Sequence, residues 1–249
     1  MVREEYIEIK RKERRYRENN LPFGQHVEKN RSRWSNIIEL TNVFEKLKLK
    51  NGQTLIDIGC ADGRFLTYVN KLRPQCKLYG IDFAINPLKI LSFRNFKCLP
   101  ACADISELPF KPGSFDKAAS VQTLQQLPSR ELRIRALKSA HCVLKANARL
   151  VITVLNQITW YPFVKNGREG PLLTCNDLYV HLYNAEELET DLNDAGFKVI
   201  KICGINNLPG RYTSKLHMLG KTIDCSITNY FTRLSLKKGS YLLAECLKN

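Results

Sequence analysis

The residues whose types and spacing could do chemistry begin in Thr54-Leu55-Ile56-Asp57-Ile58-Gly59-Cys60-Ala61-Asp62-Gly63-Arg64-Phe65. An apolar run too short for a helix meets an acid and a glycine-rich turn, and an amphipathic run opens directly after. That order predicts strand, tight loop and helix. Gly59 and Gly63 carry no Cβ where a ligand must approach the backbone, and N–H groups at the helix start can face its polar end. A dinucleotide loop would read G-x-G-x-x-G and seat a pyrophosphate on the helix. Here the pattern is D-x-G-x-A-x-G, and Asp57 would repel a pyrophosphate but hold an ammonium. A cationic cofactor bearing an amino acid fits better.

A buried strand before a glycine turn would give the same letters, so the neighbouring acids matter. Asp82 closes the next apolar run, 25 residues beyond Asp57, a spacing suited to an acid on a ribose diol. Asp104 closes the third and Gln122 follows the fourth. Carboxylates at three successive strand ends are hard to explain by packing, because an isolated acid near a core costs free energy unless something binds it.

The elements that must position these groups alternate along the chain. The pattern predicts strands at 54–58, 77–81, 96–101, 115–121, 149–155 and 197–203, with a last, antiparallel strand at 239–246 at the end of the sheet. Helix-length segments lie between, at 64–72, after Asn86-Pro87, at 131–144 and from Ala185 to the stop at Gly196. Strands separated by helices imply an α/β fold with a mostly parallel sheet covered on both faces, whose ligands bind beyond the strand C-termini.

At 249 residues the chain can bury one large core. The expected organisation is an N-terminal helical segment at 1–50 packing on a domain at 51–249. Within 1–50, a charged helix at 3–18 has a sparse apolar stripe at Val2, Tyr6, Ile9 and Tyr16, and is either solvated or a basic arm against a polyanion. A second helix at 31–48 turns Trp34, Ile37, Ile38, Thr41, Phe44 and Leu47 toward a core. Residues 156–177 form a long aromatic loop placed to act as a lid, and 206–236 an irregular basic insertion.

The formal charge is +15, divided as +5 over residues 1–50, +3 over 51–197 and +7 over 198–249. The two ends therefore carry the excess, which favours a phosphate-rich partner over plain solubility. Nine cysteines without a C-x-x-C pair, and four scattered histidines, argue against a disulfide framework and a metal site. Cys98 and Cys102 are expected to be small buried hydrophobes. With no apolar leader at Met1-Val2-Arg3-Glu4-Glu5 and no spanning run, a cytoplasmic location is expected.

The glycine loop, Asp82, Asp104-Ile105 and Ser114-Phe115-Asp116 together resemble the class I S-adenosylmethionine-dependent methyltransferases. The resemblance implies a Rossmann-like seven-stranded sheet with S-adenosyl-L-methionine as cofactor. It implies cofactor contacts at Asp57, Gly59, Ala61 and Gly63 for the methionine end, Asp82 for the ribose, Asp104 and Ile105 for the adenine, and further contacts at Phe83 and Gln122.

A narrower resemblance is to the tRNA methyltransferases that esterify a carboxymethyl group on a wobble uridine. Pro128-Ser129-Arg130-Glu131-Leu132-Arg133-Ile134-Arg135-Ala136-Leu137 is similar to their S-T-R-E-R-R-x-R-A-I signature, and Tyr179-Val180-His181-Leu182-Tyr183 to their Y-Y-H-L-Y segment. The resemblance implies that Arg31, Arg130, Arg133, His181 and Tyr183 face the substrate, with His181 the catalytic candidate. It also implies tRNA or another RNA as partner and a small zinc-binding activator subunit. Three positions depart from that pattern: Gln125-Gln126 replaces paired histidines, Ala61 replaces a loop glycine, and Lys145-Ala146-Asn147-Ala148 replaces a P-G-G turn. A small-metabolite methyltransferase and an inactive cofactor-binding scaffold are the competing readings.

Overall fold

Strand β1 (Thr54–Ile58) organises the sheet, and its alternation shows why. Leu55 points into one apolar layer while Ile56 and Ile58 point into the other, so both faces of the strand must be covered. A computed structural model describes residues 3–19, 33–160, 169–171, 178–205 and 239–249. In chain order these form α1 (Arg3–Asn19), α2 (Arg33–Leu47), β1, α3 (Arg64–Leu72), β2 (Lys77–Asp82), α4 (Ile85–Ser92), β3 (Cys98–Cys102) and β4 (Phe115–Val121). After a 3-10 turn at Leu124–Gln126 come α5 (Arg130–Val143), β5 (Leu144–Leu155), α6 (Gln157–Trp160), β6 (Glu169–Pro171), β7 (Tyr179–His181), α7 (Ala185–Asp194), β8 (Phe197–Ile205) and β9 (Tyr241–Lys248).

Seven strands make one sheet in the order β3-β2-β1-β4-β5-β9-β8, and β6 pairs separately with β7. Strands β1 to β5 run parallel, while β9 is antiparallel to both β5 and β8. The last strand is thus antiparallel as expected, but it lies inside the sheet rather than at its end, where β8 sits. Its composition explains the place: Tyr241 to Cys246 is buried throughout, as only an interior strand can be.

The order reverses between β1 and β4, which opens a crevice beyond their C-terminal ends. One core layer joins Ile56, Ile81, Leu150 and Ile152 to α5 and α7. The other joins Leu55, Leu78 and Val151 to Val43 and Leu47 of α2, Phe65 and Val69 of α3 and Leu91 of α4. β1 and β4 keep their expected limits, while β2, β3, β8 and β9 shift by one or two residues and β5 starts five residues early. β5 begins directly after α5, with Asn147 at φ 59, and β3 starts at Cys98. Cys98 is half-buried and Cys102 exposed, because β3 is an edge strand with one side open.

Helix α1, expected to be either solvated or a basic arm, packs on the core through a charged face. Ile9 and Tyr16 are only half-covered, and the buried residues are Glu13 and Arg17. The expected lid at 156–177 is described only at 156–160 and 169–171. Arg31 and the basic insertion at 206–236 lie outside the described residues. Among the described residues no helix is long and apolar enough to cross a membrane.

Candidate cofactor cleft

The loop after β1 is held by the end of β2. Gly59 N–H and Cys60 N–H donate to the Ile81 carbonyl at 2.7 and 2.9 Å. Ala61 N–H donates to Asp82 Oδ2 at 2.9 Å, and Ala84 N–H to Asp82 Oδ1 at 3.0 Å. Each Asp82 oxygen therefore spends one bond on backbone and keeps acceptor capacity for a ligand. Gly59 and Gly63 both lie at φ 82; a Cβ on Gly59 would collide with Thr123, and one on Gly63 with Leu91. These two positions require glycine on both conformational and steric grounds.

Asp57 lies inside β1, one residue before its end, rather than after it. It is 2% exposed, and among the described residues nothing donates a hydrogen bond to its Oδ1. Burial pushes its carboxyl up to about 7; Arg64 pulls it down and Asp82 pushes it further up. A buried acid with an unused acceptor, beside a loop with room for a ligand backbone, suits a cationic amino-acid group.

A cleft lies at the strand ends. It gathers Gly59, Asp82, Phe83, Asp104 and Ile105 of the expected residues. Asp57, Ala61, Gly63 and Gln122 do not line it. Gln122, at φ 58, was expected in the crevice, but its side-chain amide donates to both oxygens of buried Glu39 at 2.7 Å. Glu39 also accepts from Thr153 at 2.8 Å and lies 3.5 Å from Arg64, so it joins α2 to β4, β5 and α3. Of the glutamine pair, Gln125 is buried with Oε1 accepting from Leu155 N–H at 2.7 Å, whereas Gln126 lines the cleft.

Sequence reasoning missed the cleft's other wall. Lys10, Glu13 and Arg17 of α1 line it, and Lys10 pairs with Asp104 Oδ2. Burial raises the Asp104 carboxyl, but the hydrogen bonds from Lys10 and from Ser106 outweigh it and leave Asp104 below its usual range. The available signal was the polar stripe at positions 10, 13 and 17, which shares one helix face.

The residues expected to face a substrate do gather, but they engage one another. Arg130 Nε donates to Asp191 Oδ1 at 2.9 Å, and Arg130 also pairs with Asp194. Arg133, 3% exposed, donates to the Leu127 carbonyl at 3.2 Å and lies 3.7 Å from Asp191. Tyr183 is fully buried, with its hydroxyl on Asp191 Oδ2 at 3.1 Å. His181 Nε2 meets Glu187 Oε1 at 2.7 Å, and its ring packs on Tyr183 edge-on at 4.9 Å between centroids. The two arginines do clamp a carboxylate, but it is the chain's own Asp191. Charges buried this deeply require such partners, so Arg133, His181 and Tyr183 tie α5 and β7 to α7 instead of presenting themselves to an acceptor. Among the described residues no cluster of metal-ligating side chains occurs.

A family model described as a methyltransferase domain matches residues 27–202. The chain is 29% identical over 186 residues to "Probable S-adenosylmethionine-dependent methyltransferase Rv3030" of Mycobacterium tuberculosis, covering 74% of this chain and 64% of that one. It is 33% identical over 119 residues to "Probable tRNA methyltransferase 9B" of Mus musculus, covering 48% of this chain and 24% of the mouse protein. It is 30% identical over 106 residues to the tRNA (carboxymethyluridine(34)-5-O)-methyltransferase of Arabidopsis thaliana, covering 43% and 25%. The chain thus spans about a quarter of the length of those two tRNA methyltransferases. The fold matches an S-adenosylmethionine-dependent methyltransferase of Mesorhizobium loti at TM-score 0.64 and 16% identity, over 85% of this chain and 98% of that one. It also matches the complex of a Haloferax volcanii methyltransferase with the Trm112 methyltransferase activator at TM-score 0.62 and 15% identity, over 90% and 92%.

Proposed function

Because the chain belongs to the methyltransferase-domain family and is an S-adenosylmethionine-dependent enzyme, we propose that its acceptor is RNA, specifically a carboxymethylated wobble uridine of tRNA that becomes a methyl ester. The observation that carries the cofactor assignment is the convergence of Gly59, Asp82 and Asp104 on one cleft. The acceptor reading is supported by the partial similarity to two tRNA methyltransferases and by the basic chain ends.

Asp82 would take the ribose hydroxyls with the acceptor capacity left beside its two backbone bonds. Asp104 and Ile105 would bracket the adenine, and Phe83 would lie along it. Asp57, Gly59, Ala61 and Gly63 would hold the methionine end, with the Asp57 carboxylate opposite the ammonium. S-adenosylmethionine, when bound, supplies a methyl group made electrophilic by its attachment to a sulfonium. The protein's share of such a displacement is alignment, because charge disappears as the methyl moves. A carboxylate acceptor is already ionised at neutral pH and needs no general base. That suits a cleft beside which His181 is engaged by Glu187. A small activator subunit belongs to the same proposal, supported by the likeness to the archaeal methyltransferase solved with its activator.

Nucleoside mass spectrometry of RNA from cells with and without this protein tests the acceptor. Loss of one methylated uridine from the tRNA fraction is expected. An unchanged tRNA nucleoside profile would reject the RNA reading, and a changed small-molecule pool in the same cells would favour a metabolite acceptor.

A further inference from the structure

We propose that α1 is a working wall of the cofactor cleft, with Lys10, Glu13 and Arg17 acting on the adenosine half of the ligand. The inference rests on the assignment of that cleft to S-adenosylmethionine. Residues 10, 13, 14, 17 and 18 share one helix face, and Lys10, Arg14 and Glu18 spend their polar groups on the residues just beyond β2 and β3 and on the start of α4. Lys10 pairs with Asp104. Arg14 donates to the Phe83 carbonyl at 3.2 Å, with its guanidinium 5.8 Å from the Phe83 ring centre. The two Glu18 carboxylate oxygens accept the Ile85 and Asn86 N–H groups at 2.9 and 3.0 Å, capping the first turn of α4. A helix anchored from its middle at Lys10 to its last turn at Glu18 is placed over the cleft by its sequence.

The central pair explains what the wall is for. Glu13 and Arg17 are 7% and 6% exposed and bonded to each other at 3.2 Å. Burying two charges on a surface helix costs desolvation that a solvated face would avoid. Glu13 lines the cleft with Asp82; burial pushes its carboxyl up, Arg17 pulls it down and Asp82 adds to the rise. Two carboxyl groups facing one cleft, with the Arg17 guanidinium beside them offsetting part of the rise that burial gives both, form a paired acceptor for the two hydroxyls of a ribose. Lys10 sets the charge on Asp104, the acid at the adenine end. Binding of adenosine and docking of α1 are then linked: a ligand held by both surfaces stabilises their closed arrangement.

The test is calorimetric titration of S-adenosylhomocysteine into the full chain and into Lys10→Met, Glu13→Gln, Glu18→Ala and Asp82→Asn. Hydrogen exchange over residues 3–19 is followed with and without ligand, and thermal melts confirm that each variant is folded. Glu18 lies outside the cleft, so Glu18→Ala frees the helix without touching the ligand. The expected result is a loss of about tenfold or more in affinity for each α1 variant, the size of one hydrogen bond to a charged group. Slower exchange of 3–19 on adding ligand is expected with it. Wild-type affinity in all α1 variants, or tighter binding in Lys10→Met, would overturn the inference, and if Asp82→Asn still lost binding the cleft assignment would stand. No binding by the unaltered chain would reject the cleft assignment itself.

Discussion

Asp57 carries a charge that its surroundings disfavour. Between its ordinary value near 3.9 and about 7, the folded chain keeps a proton that the unfolded chain has lost. Its contribution to stability therefore falls as pH rises through that window. Binding an ammonium has the opposite sign, because it requires the carboxylate. Affinity for S-adenosylmethionine should weaken about tenfold per pH unit below pH ~7, and Asp57→Asn should remove both the affinity and its slope, as titration across pH 5.5–8 would show. Ala61 is a second test at this scale. It sits at φ 47, where a side chain is strained. Ala61→Gly should leave stability unchanged or raise it by up to about 1 kcal/mol, since relieved strain slightly exceeds the added chain entropy. A denaturant melt measures it.

At the scale of elements, α5 and α7 are joined through Asp191. This residue is fully buried and takes Arg130 and the Tyr183 hydroxyl, with Arg133 beside it. Asp191→Ala would take the shared carboxylate from Arg130, Tyr183 and buried Arg133, leaving Arg133 the Leu127 carbonyl and the Glu187 carboxylate 3.7 Å away, and should cost about 3 kcal/mol in urea unfolding. Helices and parallel strands were legible in the sequence because each is set by local signals. The apolar run Leu55–Ile58, the stop at Gly196 and the amphipathic run after Gly63 placed β1, α7 and α3 correctly. The partners of charged residues were not legible. Arg130 and Arg133 read as substrate ligands because their acid, Asp191, lies about 60 residues away and meets them only after β7 and α7 fold back. The place of β9 between β5 and β8 is a long-range pairing of the same kind. The role of α1 was hidden because its functional stripe is charged, and charge on a helix reads as solvated until a structure shows Glu13 and Arg17 covered.

The whole molecule combines a nearly balanced centre with two basic ends. Contacts to phosphate release counterions, so binding of tRNA should fall steeply between 50 and 200 mM salt, by roughly tenfold or more if several phosphates are neutralised. Binding of S-adenosylmethionine to the enclosed cleft should change little over the same range, since pairs within the protein are less screened. Filter binding for the RNA and calorimetry for the cofactor separate the two, and a flat salt response for RNA would remove phosphate recognition from the account.

Everything at the three scales depends on what the cleft at the strand ends holds. A crystal structure of the chain with S-adenosylhomocysteine tests this most directly. The account predicts ribose hydroxyls on Asp82, adenine between Phe83 and Ile105 with its amine toward Asp104, and the amino-acid end at Gly59 within reach of the Asp57 carboxylate. Ligand density elsewhere on the molecule, or none beside Asp82 at saturating concentration, would contradict it.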